Sequence, residues 1–299
     1  MYGAYHERLT AMVRDPACDL AEAALLCCAE AQPDLDVDAT LRNIDALAQG
    51  LRASGFQPQS RYGRGRGGTS EAATADAHEL ADYLATRLGF GGDMNAEHDP
   101  RNSLLTAVLD RRLGTATTLG ILYIAVGRRL ALRVFGTDTP GRLLVGVGGG
   151  APATGATRPA VIDPFHQGAI LDDAMLDEHV LSETAGQTSY QPAMLRPVPP
   201  TVIIGELLDD LIHGYLAQGD GGTALRMTEL KRLLPGSGPD DVLVAGQLLA
   251  LLGRYRESAE TLEGYLTEVA GEFDLAAAAG GPALGAMARV ARRARAKMN

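Results

Sequence analysis

Tryptophan is absent from this 299-residue chain, lysine occurs only as Lys231 and Lys297, and cysteine numbers three. Aromatic residues make up 5% of it. No apolar run approaches the roughly 18 to 20 residues of a membrane span. The N-terminus, MYGAYHERLT, carries no hydrophobic signal core. Neither membrane insertion nor export is therefore expected, and the cytoplasm is the default compartment. The odd cysteine count, confined to Cys18, Cys27 and Cys28, argues against a disulfide framework. No His or Cys at zinc-ligand spacing accompanies them, so neither a metal nor a cofactor is expected. In ALLCCAEA, Cys27 and Cys28 read as small apolar core residues, with a reactive thiol as the competing reading.

Positive charge is also short. Lys and Arg total 27 against 37 Asp and Glu, a formal charge of -10. That balance excludes phosphate-backbone binding as the main task, because nucleic-acid affinity is dominated by Lys and Arg neutralising phosphates. What the chain does have is a 46% hydrophobic share, typical of globular proteins. Its length suffices for one large domain or two ordinary ones.

Residues 1–54 read as helices. Asp38 is a plausible N-cap for ATLRNIDALAQGLRAS, with Leu41, Ile44, Leu47 and Leu51 in one stripe, and Gly55 suits its end. Residues 57–73 are Gly- and Arg-rich without apolar periodicity. They read as a flexible surface loop, with an RNA-binding patch as the sharper alternative. Helix returns over 74–90, ended by Gly89, Gly91 and Gly92. In DPRNSLLTAVLDRRLG, Asp99 or Asn102 caps a short helix. Residues 115–131 are apolar almost all round, which describes a buried central helix. LRVFGTD, RLLVGVGG and PAVIDPF then predict an antiparallel sheet of three or more strands. From about residue 200 the chain is helical again, and Gly219 and Gly253 end similar helices 34 residues apart. That is the period of tetratricopeptide repeats.

The strongest signal is an ordered series: AEAQPDLDVDATLRNIDALA, LGFGGD, DPRNSLLTAVLDRRLG, an apolar helix ending GRRLALRV, a PGxxLV strand, an IDPF strand and LLGRYRESAETLEGYL. In this order the pieces resemble the bacterial SirB-type branch of the transglutaminase-like superfamily. The resemblance implies an α+β protein: a mostly helical transglutaminase-like core with a small antiparallel sheet over 1–195, then tetratricopeptide-like helical hairpins over 196–299.

Active members of that superfamily pair a Cys at the start of the buried helix with a His on one strand and an Asp on the next. Carried over by position, the Cys falls on Ala116, where the SirB-type branch usually has Pro. The His of the branch's Pro-Gly-His falls on Arg142, and the Asp is Asp163. Ala116 supplies no nucleophile, and Arg142 stays protonated and cannot act as a base. Thr115, Thr117 and Thr118 at the helix start read as capping and packing residues, or as alternative nucleophiles. His166 is an alternative base, but on a continuing strand its odd offset from Asp163 turns it to the opposite face. Arg142 beside Asp163 reads as a structural pair or, with the helix start, as an anion site. Asp99, Arg101 and Asn102, with Asp110, Arg111 and Arg112 nearby, line the cleft mouth or serve as caps. The resemblance thus implies a pseudoenzyme with a regulatory, scaffolding or ligand-binding role. A protein or peptide partner would use the tetratricopeptide-like part, and an anionic small molecule would meet Arg142. An enzyme of repurposed amide chemistry is the alternative.

Overall fold

The computed structural model describes residues 2–59, 70–96, 98–149, 158–272 and 282–298. Residues 60–69, the centre of the Gly- and Arg-rich run expected to be a surface loop, lie outside them. In chain order the helices and strands are α1 Tyr2–Met12, α2 Leu20–Ala31, α3 Val37–Ala53, α4 Ser70–Ala81, β1 Gly91–Gly92, α5 Leu105–Arg111, β2 Leu113–Gly114, α6 Ala116–Arg129, β3 Val134–Gly136, β4 Val145–Val147, β5 Ala160–Asp163, β6 Ala169–Leu171, α7 Asp173–Glu183, α8 Pro200–Ala217, α9 Gly221–Lys231, α10 Pro239–Leu251, α11 Tyr255–Glu272 and α12 Pro282–Ala296. The packing separates two compact units, Met12–Leu207 and Leu208–Asn299 together with Met1–Ala11. Among the described residues no helix is long and apolar enough to cross a membrane.

The first unit is built around α6. Its N-cap is Thr115, whose Oγ1 accepts the Thr118 N–H at 3.2 Å, and every residue from Thr117 to Gly127 is buried. Two glycines let the sheet come close. A Cβ on Gly120 would lie 2.6 Å from the Leu143 side chain, and one on Gly127 would lie 2.8 Å from Val134. Helix α2 also buries nearly all round. Its Cys27 and Cys28 are fully enclosed, and burial pushes the Cys28 thiol up to about 11. A thiol held protonated is a poor nucleophile, which agrees with the packing role.

The sheet has the order β3-β4-β5-β6, antiparallel throughout, with Val145 opposite Ile162 and Asp163 opposite Ala169. Three of its strands fall in the β-rich runs of the sequence. The fourth, β6 Ala169–Leu171, follows directly on the turn after β5 and lies outside those runs.

Three boundaries differ from expectation. The helix expected to be capped by Asp99 or Asn102 begins at Leu105 with no side-chain cap, because Asp99 closes a separate turn at Pro100–Asn102. Asp36, two residues earlier than Asp38, caps α3 by accepting the Ala39 N–H at 2.8 Å. The 74–90 helix starts at Ser70 and passes into a wider turn at Asp82–Arg87. The glycines beyond it do more than stop it: Gly91 and Gly92 form β1, parallel to Leu113 and Gly114 of β2.

The second unit is helical. Gly219 and Gly253 adopt left-handed φ values of 77° and 75°. Each turn then closes the same way: Asp220 N–H donates to Tyr215 C=O at 2.9 Å, and Arg254 N–H to Leu249 C=O at 2.8 Å. The 34-residue spacing is therefore a repeat of backbone geometry as well as of letters. Val242, Leu262, Met287 and Ala291 form a core shared by α10, α11 and α12.

Candidate functional site

Asp163 ends β5 and is 5% exposed at its side chain. Oδ1 accepts the backbone N–H groups of Phe165 (3.0 Å) and His166 (3.2 Å). Oδ2 meets Arg142 Nε at 3.2 Å and His166 Nδ1 at 2.8 Å. The strand stops at Asp163, so the alternation expected to turn His166 away no longer applies. Residues 164–168 form a turn that carries the ring back over the carboxylate.

Arg142 reaches its place through the turn Pro140-Gly141-Arg142. Gly141 has φ +85°, and a Cβ there would sit 2.3 Å from the Glu183 side chain, so only glycine fits. Two groups one helical turn apart on α7 clamp this turn. His179 Nε2 lies 3.1 Å from Pro140 C=O, and Glu183 Oε1 lies 3.3 Å from Arg142 Nη1. Arg142 therefore faces two carboxylates, Asp163 and Glu183. Burial, then the Arg142 charge, lowers the His179 imidazole below its ordinary value. With Nε2 on a carbonyl, that nitrogen donates, and the buried Nδ1 has no partner among the described residues.

The start of α6 presents Ala116 where the sequence comparison placed the nucleophile. Beside it, Thr115 and Thr118 engage each other, Oγ1 to Oγ1, at 3.0 Å. Thr117 and Thr118 are both buried.

Asp99, Arg101 and Asn102 are also brought together. Asp99 caps a short turn at Pro100–Asn102 and pairs with Arg101 at 2.6 Å. The Arg101 hydrogen bond holds the Asp99 carboxyl below its usual range. Asn102 is 1% exposed; its amide donates to Asp93 Oδ2 (3.2 Å) and Ala96 C=O (2.8 Å), while its Oδ1 accepts Arg111 Nη1 at 2.8 Å. Burial pushes the Asp93 carboxyl up, but hydrogen bonds from the Asn95 N–H and the Asn102 amide outweigh it and hold it below its ordinary value. Asn102 C=O accepts the Thr115 N–H at 2.9 Å, so this knot is fastened to the α6 cap. Arg112 stands apart, over the Phe90 ring at 4.6 Å.

The two polar groups are joined through β1. Gly92 N–H donates to Phe165 C=O at 2.9 Å, and the Phe165 ring lies where a Gly92 Cβ would be, 2.5 Å away. One residue later, Asp93 belongs to the Asn102 knot.

Residues 38–209 match the transglutaminase-like superfamily. The chain belongs to that superfamily. It is 31% identical over 188 residues to a UPF0162 protein of Xylella fastidiosa (strain 9a5c), covering 62% of this chain and 64% of that protein. A UPF0162 protein of Vibrio cholerae is 30% identical over 142 residues, 48% of this chain and 50% of its own. One of Pseudomonas aeruginosa is 28% identical over 210 residues, 69% and 68% respectively. This chain thus spans about 64% of the Xylella relative's length. These names state no activity. No solved structure matches the chain.

Asp93, His179, Glu183 and Tyr123 are the residues that sequence reasoning missed. Asp93 stood in the LGFGGD piece and was open to notice. His179 and Glu183 share a four-residue spacing on a helix, a signal only once their neighbour is known. Tyr123, on α6, is fully buried, and its hydroxyl has no partner among the described residues; burial and the nearby Asp163 charge raise its pKa. Among the described residues no group of three His, Cys, Asp or Glu is arranged to hold a metal ion.

Proposed function

We propose that this superfamily member is a non-catalytic, SirB-type protein in which the core acts as a scaffold and residues 196–299, of tetratricopeptide type, engage a protein or peptide partner in the cytoplasm. The observation that carries this reading is the state of Asp163. It is the one triad position whose residue type is kept, and both of its oxygens are already committed, to two backbone N–H groups, Arg142 and His166. Ala116 offers no attacking atom, and the hydroxyl of Thr118 is tied to Thr115. The ligand role foreseen for Arg142 is weakened by the same geometry, since two carboxylates already match one guanidinium. The matching left-handed turns at Gly219 and Gly253 support the repeat assignment.

The test is an amide-transfer assay with a glutamine peptide and a fluorescent primary amine. Product formation no faster than in buffer is expected. Turnover that Asp163→Asn abolishes would overturn the reading.

One observation favours the enzyme alternative. His166 Nδ1 sits 2.8 Å from Asp163 Oδ2, which restores an Asp-oriented imidazole from a different position. With Thr117 or a substrate hydroxyl as the attacking group, that dyad would act as the base. In this reading His166→Gln removes turnover across the whole pH range, whereas in the scaffold reading it removes nothing.

A further inference from the structure

Arg142 is matched by two carboxylates, but two arginines toward the far end of α6 are matched by none among the described residues. Helix α6 has 14 residues. Its C-terminal end therefore lies about 20 Å from Ala116, at roughly 1.5 Å per residue. There a cleft of about 500 Å³ opens between the Pro16-Ala17 turn, the 131–135 segment and Pro197. Arg128 and Arg133 both line it. Arg128 Nη1 donates to Cys18 C=O at 2.7 Å, and Arg133 Nη1 donates to Gly149 C=O. The Arg133 guanidinium also lies 5.7 Å from the centre of the Phe135 ring. Among the described residues neither guanidinium has a carboxylate partner. Each is anchored through one nitrogen and keeps further N–H donors. The rest of the lining is apolar, including Leu132, Val134, Phe135 and Pro197. Three acidic residues stand near Cys18, on whose carbonyl Arg128 is anchored: Asp15, whose carboxylate is held by the Ala17 N–H at 2.8 Å, Asp19, which pairs with Arg129 at 2.9 Å, and Glu22.

We propose that this cleft binds a small organic anion, with one carboxylate or phosphate head on the two guanidinium groups and an apolar body along the Phe135 side. The volume suits a small molecule, and two pre-anchored forks favour a planar or tetrahedral oxyanion over a neutral head. In a chain of charge -10, two arginines left without a carboxylate in one cleft form a local exception to the acidic balance.

The experiment is calorimetric titration of the full chain with octanoate, octyl phosphate and octanol. Saturable one-site binding of one or both anions is expected, at least about tenfold tighter than octanol, since each unmatched charge-assisted contact contributes on the order of one such factor. Arg128→Gln with Arg133→Gln keeps an N–H donor for each carbonyl and is expected to weaken binding about tenfold or more. Ala131→Asp gives a second variant that spares both arginines. Ala131 is exposed at φ 63°, a conformation aspartate tolerates, and the change sets a carboxylate at the rim. It is expected to weaken the anions and leave octanol unchanged. Arg142→Gln is expected to change none of these affinities. Absence of saturable anion binding, octanol binding as tightly as the anions, or full affinity in a folded Ala131→Asp chain would each overturn the proposal.

Discussion

The two units of the chain spend their polar residues differently. In Met12–Leu207, polar side chains are drawn inward: Asp93, Asn102, Asp163 and His179 are all buried, and each is held by hydrogen bonds from another segment. In the helical unit the buried polar residues are small. Thr228 and Ser258 turn back onto backbone carbonyls of their own helix or the preceding one, at 2.9 and 2.7 Å. Its Arg295–Glu263 pair lies at the surface, and its half-buried Lys231 bridges Asp209 and Asp241 at 2.7 and 2.8 Å. The contrast separates two ways of specifying a structure. The helical unit is set by apolar stripes, caps, close glycine contacts and the Lys231 cluster, whereas the core unit also depends on a connected buried polar web that requires every partner to be present. The web joins Asp163 at the end of β5 to the Asn102 knot at the start of α6.

The largest expected effect breaks the web at its centre. Asp163→Ala leaves two backbone N–H groups and part of Arg142 without an acceptor, and is expected to cost about 3 to 5 kcal/mol in denaturant unfolding of the core unit. A loss under about 1 kcal/mol would show that the web is ornamental and erase the contrast. Next comes the helical unit's own weak point. A Cβ on Gly246 would lie 2.5 Å from Leu262, and Gly246→Ala is expected to cost about 1 to 3 kcal/mol by overpacking. Hydrogen exchange checks where the loss falls: faster exchange in α10 and α11 with the core unit unaffected is the expected pattern.

A smaller effect is pH-dependent. Burial and Arg142 lower the His179 imidazole, so as pH falls the unfolded chain takes up its proton first, near its ordinary value of 6.5. The stability given by the neutral ring is complete above that value and is lost as pH falls from there toward the folded value. His179→Gln is expected to flatten this slope in melting curves taken below neutrality; an unchanged slope would place the titrating group elsewhere. The smallest effect is Arg295→Ala, an exposed partner of Glu263, where no measurable shift in melting midpoint is expected. A clear loss there would mean that the helical unit also leans on its surface charges.

Much of this was legible in the letters, for local reasons. The apolar run 115–131 had one way to be satisfied, as a buried helix, and Cys27 and Cys28 sat in a segment apolar on every face. The capping role read for Thr115 involves a neighbour three residues away. What failed was local as well, but finer. The Asp38 cap lost to Asp36 because both residue types suit the role and the chain direction before the helix chooses between them. The face assigned to His166 assumed that the strand continued, and it ended one residue after Ile162.

The sequence by itself determined that the central helix begins at an alanine rather than a cysteine, that an arginine follows Pro140-Gly141, and that an aspartate closes the AVID run, because each is a matter of residue identity at a position marked by its neighbours. Only the tertiary structure decided what these residues do together. Glu183 and His179 arrive from a helix about forty positions beyond Arg142, His166 folds back over Asp163, and Arg128 and Arg133 open onto one cleft. Such meetings depend on how sheet and helices pack, and charge compensation acts through space, which neither periodicity nor spacing along the chain records.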